Sequence, residues 1–134
     1  MSQPLPYCQV AVLNDRVAEI TFNEGIELQV HHLQALNTYL LALLTSPYGM
    51  LINKKNSYSY AFDTQRFMGK SEGLGALAVV THDAAAKVNV QLIKNMPRKH
   101  QFNMEIFDNY PSAFSWLEQQ LDELGQTLPT NKQA

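Results

Sequence analysis

Residues 49–65 read GMLINKKNSYSYAFDTQ, a short apolar run that ends in Asn53, two lysines and a Ser/Tyr-rich loop before an amphipathic segment. By length and content the run predicts a buried strand at Gly49–Asn53, and the amphipathic segment predicts a helix near Phe62–Gly69. Ser71, Gly73 and Gly75 then predict a flexible turn. The next run, ALAVVT at Ala76–Thr81, is apolar throughout, as when both faces of a parallel strand are covered, and is expected to be the central strand.

Working outward toward the amino terminus, a helix is predicted from about Val30 to Thr45, with Leu33, Leu36, Leu40, Leu43 and Leu44 on one face and Ser46-Pro47 as its stop. Tyr39 and Leu41 flank that face and widen the apolar arc beyond the stripe of about 100° that covers one sheet face. The extra flank predicts a second contact, made by a homodimer partner or by a loop. Before the helix, Tyr7–Leu13 and Val17–Phe22 are rich in Val, Ile, Tyr and Phe and are separated by Asn14-Asp15, which predicts a β-hairpin. Residues 1–6 carry two prolines and read as an irregular lead-in.

Toward the carboxyl terminus, His82-Asp83 opens a third helix, with Ala85, Val88 and Leu92 expected inward and Pro97 closing it. Met104–Phe107 predicts a last strand. Pro111 starts a helix whose Phe114, Leu117, Leu121 and Leu124 repeat at helical spacing until Gly125 caps it. The order ββαβαβαβα predicts one α/β domain over residues 1–125, a mixed, mostly parallel sheet with an antiparallel hairpin at its edge and covering helices. Residues 126–134 are then a polar, frayed tail.

Composition narrows function mainly by exclusion. With 134 residues, 46% hydrophobic and 16% charged, the chain is an ordinary folded domain. A net charge of -2 gives no global attraction to nucleic acid or anionic membranes. A lone cysteine, Cys8, cannot form an internal disulfide, and residues 1–8 lack the regions of a signal peptide, so a cytoplasmic location is expected. The longest apolar run, Tyr39–Leu44, is too short to span a bilayer.

Motifs for chemistry are sparse. His31 and His32 are adjacent and point about 100° apart on a helix, His82 and His100 fall in separate elements, and neither HExxH nor CxxC occurs. No metal or cofactor is expected. Cys8 reads as a small buried hydrophobe rather than a nucleophile. Gly69, Gly73 and Gly75 do not make a phosphate-binding loop. A phosphoacceptor receiver domain is excluded because Asn53-Lys54 stands where the acceptor aspartate belongs and the hairpin lacks an acidic pair. Lys94, Arg98, Lys99 and His100 read as a solvated helix end rather than a nucleic-acid surface. The Lys54–Tyr60 loop mixes cations, hydroxyls and aromatics before a helix start, which suits a phosphate or carboxylate ligand but more readily a capped helix with tyrosines packed on the core edge and solvated lysines.

The element order, with GMLINKKNSYSYAFDTQ after the first helix and LGALAVVTHDAAAKV at the next strand and helix, resembles bacterial proteins with the sporulation anti-sigma-factor antagonist-like fold, which includes the STAS domains. The likeness spans about Val17 to Leu124. In regulatory members, a partner kinase phosphorylates a serine at the start of the helix after the third strand. The resemblance implies Ser57 and Ser59 as candidate phosphosites, although this chain reads Asn56-Ser57-Tyr58-Ser59-Tyr60 in place of an Asp-Ser-Ser-Gly-like context. Phosphate there, beside Lys54 and Lys55, is expected to order the loop.

The sequence thus favours a non-enzymatic protein-interaction module whose surface comprises Asn53, Lys54, Lys55, Asn56, Ser57, Tyr58, Ser59, Tyr60, Thr81 and His82. The alternative is a binding protein for a small anionic or amphiphilic ligand held by the lysines and tyrosines. An enzyme using His82 and Asp83 ranks third.

Overall fold

Val10, Ile20, Ile52, Val79 and Ile106 stand opposite one another across five strands, a single row of β-branched side chains that fixes the register of the whole sheet. The computed structural model of the chain describes residues 5–67, 71–95 and 103–127. Its main sheet has the order β1 (Cys8–Val12), β2 (Val17–Phe22), β4 (Tyr48–Lys54), β6 (Leu74–Thr81), β7 (Met104–Phe107). β1 runs antiparallel to β2 at the edge, and every other pairing is parallel. The middle strand is therefore β4, not the ALAVVT strand β6, which lies one place toward the β7 edge. Both are buried on two faces, so an unbroken apolar run marks an interior strand without saying which one.

The hairpin forms without a glycine because Asn14 supplies the turn: its Oδ1 accepts from the backbone N–H of Arg16 and of Val17, each at 2.9 Å. Arg16 in turn pairs with Glu118 and, at 2.7 Å, with Asp122, tying the hairpin end to the last helix. Two further short strands, β3 (Glu27–Leu28) and β5 (Ser59–Tyr60), pair in parallel as a separate two-stranded sheet.

Because the parallel strands follow one another across the sheet without reversal, right-handed crossovers place their connecting helices on one face. On that face α1 (Val30–Leu43) and the residue after its end bring Leu36, Leu40 and Leu44, at i, i+4, i+8, onto Ile20, Ile52 and Val79. The short α2 (Phe62–Phe67) contacts α1. Leu33 is partly buried and Leu43 is 46% exposed, so the inward stripe is narrower than the leucine spacing suggested. Tyr39 packs against the core, and Leu41 lies against Gly73, where its Cδ2 is 2.7 Å from the position a Cβ would take. With φ at +84°, Gly73 is doubly constrained to glycine. The turn before β6 thus covers part of the flank.

α3 (Ala84–Lys94) corrects an expectation. It packs through Val90, which is buried, while Ala85, Val88 and Leu92 face solvent. Its sequence offers two stripes at helical spacing. The tight exit from Thr81, with Asp83 Oδ1 accepting the Ala86 N–H at 2.7 Å, sets which one meets the sheet.

The opposite face is covered by α4 (Tyr110–Thr127), whose Ala113, Leu117 and Leu121 pack on Val17, Leu51, Ala76, Ala78 and Val80. Small residues on β6 let the helix lie close. Gly75 belongs to this strand rather than to a free turn, at the register shift against Tyr48/Gly49, and a Cβ there would sit 2.8 Å from Leu124 Cδ1. α4 runs through Gly125 to Thr127, so Gly125 is not its cap. Met1–Pro4, residues 68–70, residues 96–102, which hold Arg98, Lys99 and His100, and residues 128–134 lie outside the described residues.

At the start of α1, the backbone N–H of Gln29 donates to His32 Nδ1 at 2.8 Å. Burial, followed by the charge of neighbouring His31, pulls the His32 pKa below its ordinary value. The fold therefore keeps the neutral ring. Its contribution is complete above the unfolded value of about 6.5 and is lost as pH falls through the lower folded value. Melting curves between pH 7.5 and 5 should show a steeper loss of Tm for the wild type than for His32→Gln, and equal slopes would refute the assignment. Val80, 1% exposed beneath α4, gives the second test: Val80→Asp strands a carboxylate in the core at a cost on the order of 4 kcal/mol. Circular dichroism should show loss of the cooperative melt, and near-native stability would contradict the two-sided burial of β6.

Candidate functional site

Side-chain alternation divides the α4 face of the sheet into unlike halves. Across β6 and β7 it presents Val80 opposite Phe107, whereas across β1 and β2 it presents Gln9 opposite Thr21 and Ala11 opposite Glu19. α4 lies over β4, β6 and β7. The polar half forms an open recess of about 390 Å³, lined by Gln9, Val10, Ala11, Glu19, Thr21, Asn53 and Lys55.

A chain of hydrogen bonds borders this recess. Asn53, on β4 and only 8% exposed, donates through Nδ2 to Glu19 Oε2 at 3.1 Å and meets His82 Nε2 through Oδ1 at 2.9 Å. Tyr110, at the start of α4, donates its hydroxyl to the same Glu19 oxygen at 3.0 Å. An ionised carboxylate accepts only, so Glu19 dictates the orientation of the Asn53 amide. Asn53 Oδ1 then requires a donor from His82, which places a proton on Nε2. Burial first, then the hydrogen bond to Glu19 and its charge, pushes the Tyr110 pKa up to about 12. His82 thus meets Asn53, while Asp83 caps α3, so the two side chains have separate partners.

The remaining loop residues take separate roles. Lys54 Nζ sits 3.5 Å from the centroid of the Tyr58 ring. Burial lowers its pKa, against the opposing charges of Asp83 and Glu24. Tyr58 is partly buried between Phe22 and Tyr60, and burial raises its pKa well above the ordinary value. Lys55 is exposed at the recess. Asn56 Nδ2 donates to Phe22 O at 2.9 Å. Ser57 is exposed, and its backbone N–H donates to Glu24 Oε1 at 3.0 Å while its carbonyl accepts from Gly25 N–H. Ser59, also exposed, lies in β5, where its N–H donates to Ile26 O at 3.0 Å. Thr81 is buried, and its hydroxyl is 3.5 Å from Phe107 O. The structure therefore gathers Asn53, Lys55 and His82 around the recess and commits Lys54, Tyr58 and Tyr60 to holding the loop.

Glu19 and Tyr110 were not singled out from sequence. The Glu19 signal was present: in VAEITF it is a charged residue at the centre of a strand, on the same face as buried Val17. Tyr110 carried none, because it meets Glu19 across 91 residues.

Another concavity is mostly apolar and partly open. Beneath α1, Phe22, Leu36, Tyr48, Ile52, Tyr60 and Leu77 line about 20 Å³, room for one water-sized sphere. Burial raises the Tyr60 pKa to about 12. Cys8 is buried and its thiol is pushed up to about 11, which removes thiolate reactivity at neutral pH. Lys94 pairs with Glu105 at 2.8 Å. Among the described residues no three His, Cys, Asp or Glu side chains are placed to hold a metal ion, and no helix is long and apolar enough to cross a membrane. Compared with protein-family models, with curated proteins and with solved structures, the chain matches none.

Proposed function

We propose that the chain is a protein-interaction module of the STAS-like, antagonist-like fold, and that its partner docks at the carboxyl end of the sheet. The docking surface is the recess together with His82 and the Lys54–Tyr60 loop. The observation that carries this reading is the uncovered polar half of the α4 face, where the edge strand β1, its neighbour β2 and the end of β4 expose hydrogen-bonding side chains instead of a helix contact. An antiparallel edge hairpin followed by parallel strands supports the fold assignment. The alternative, a carrier of a small amphiphilic ligand, has less to rest on, since the partly open apolar space beneath α1 is about 20 Å³ against the several hundred Å³ that such ligands fill.

Ser57 and Ser59 remain the phosphosites this reading offers. A phosphate on Ser57 would stand beside the Glu24 carboxylate that now tethers the loop, so modification would loosen the loop by like-charge repulsion rather than order it.

Photo-crosslinking in the native host tests the docking surface. A benzophenone amino acid placed at Lys55 or Ser57 should give a discrete adduct, and one at Gln119 or Glu123, on the outer face of α4, should give none. Adducts of equal yield from all four positions, or from none, would refute the surface.

A further inference from the structure

Glu19 is partly buried and charged, yet among the described residues no cation lies within ion-pairing distance of it. Its two donors, Asn53 Nδ2 and Tyr110 Oη, both bind Oε2. They fix the orientation of the carboxylate and leave Oε1 without a hydrogen bond from any described residue. Glu19 lines the recess together with Gln9 and Thr21. A partly buried carboxylate, held in place by two donors and with no cation of the described residues beside it, suits a cationic donor from outside the chain.

We propose that the recess receives an arginine side chain of the partner protein, its guanidinium paired with Glu19. This rests on the docking reading above and names the partner's chemistry. A guanidinium carries several coplanar N–H groups, so one can meet Glu19 Oε1 while another meets the Gln9 carbonyl or the Thr21 hydroxyl. An ammonium is a point charge without that fork. Ala11 provides floor for the aliphatic stem. The space, about 390 Å³, takes one long side chain, and arginines seated in such pockets recur among the dominant contacts of protein interfaces. The one cation in the lining, Lys55, is exposed, and it selects for an acidic residue beside the arginine in the partner segment. A pocket for a free small molecule would be lined mainly by apolar groups, which this one is not.

The test titrates N-acetyl-arginine amide, its lysine counterpart and its neutral citrulline counterpart into the ¹⁵N-labelled full chain at low salt. Saturable shifts of the Thr21 and Asn53 amides are expected with the arginine probe, with affinity lower by about five-fold for citrulline and for arginine binding to Glu19→Gln. Thr21→Val leaves the Glu19 hydrogen bonds in place and should weaken the arginine probe by about two-fold, so it decides the matter if Glu19→Gln does not fold. Equal binding of the three probes, or no loss in either folded variant, overturns the proposal. Crosslinks at Lys55 that persist unchanged in Glu19→Gln would leave the docking surface standing and reject only the arginine. Absence of crosslinks in the wild type would reject the surface itself.

Discussion

Register across the sheet is the constraint on which the other features depend. Side chains alternate between faces with a period of two, so slipping any one strand by a residue would turn its member of the Val10–Ile20–Ile52–Val79–Ile106 row away from α1 and toward α4. The same slip would bury Glu19 and Asn53 under the helices on the crowded face. Core and site are therefore specified by one pattern: the alternation that sends Ala18, Ile20 and Phe22 into one cluster leaves Val17, Glu19 and Thr21 for the other face.

The two faces are finished differently. The three connecting helices lie on the first, whereas the second has only α4, tethered through Arg16 to Glu118 and Asp122 and seated closely because β6 offers Gly75, Ala76 and Ala78 beneath it. One helix about 10 Å wide cannot cover a sheet of five strands spaced nearly 5 Å apart. The uncovered strands answer with polar side chains, which is how the recess arises from geometry and sequence together. Its hydrogen bonds then join the middle of β2, the end of β4, the β6–α3 turn and the first turn of α4.

Most of the architecture was legible because its elements carry long periodic or unbroken apolar runs. β4, β6 and α4 declare themselves this way, as does the hairpin once Asn14 is allowed to make the turn with its own side chain. What could not be read was relative. ALAVVT shows that β6 is interior but not that β4 is the middle strand, and α3 holds two apolar stripes of which packing chooses one. β3 and β5 are each two residues long, too short for any period to register. At the site, Asn53, Lys55 and His82 lie near strand ends and were visible as such, whereas Tyr110 joins Glu19 only through the folded topology.

The pairing of β3 with β5 has a thermodynamic consequence for recognition. Gly25 N–H to Ser57 O, Ser59 N–H to Ile26 O and Ala61 N–H to Leu28 O hold the segment after β4 along its length before any partner arrives. Loops that fold on contact surrender affinity to their own conformational entropy, roughly 1–2 kcal/mol for each residue fixed. Here that entropy is already lost in the free chain. A partner docking there, as proposed, would meet a pre-ordered segment, and differences in affinity among such partners would be expressed in how slowly they leave rather than in how fast they arrive.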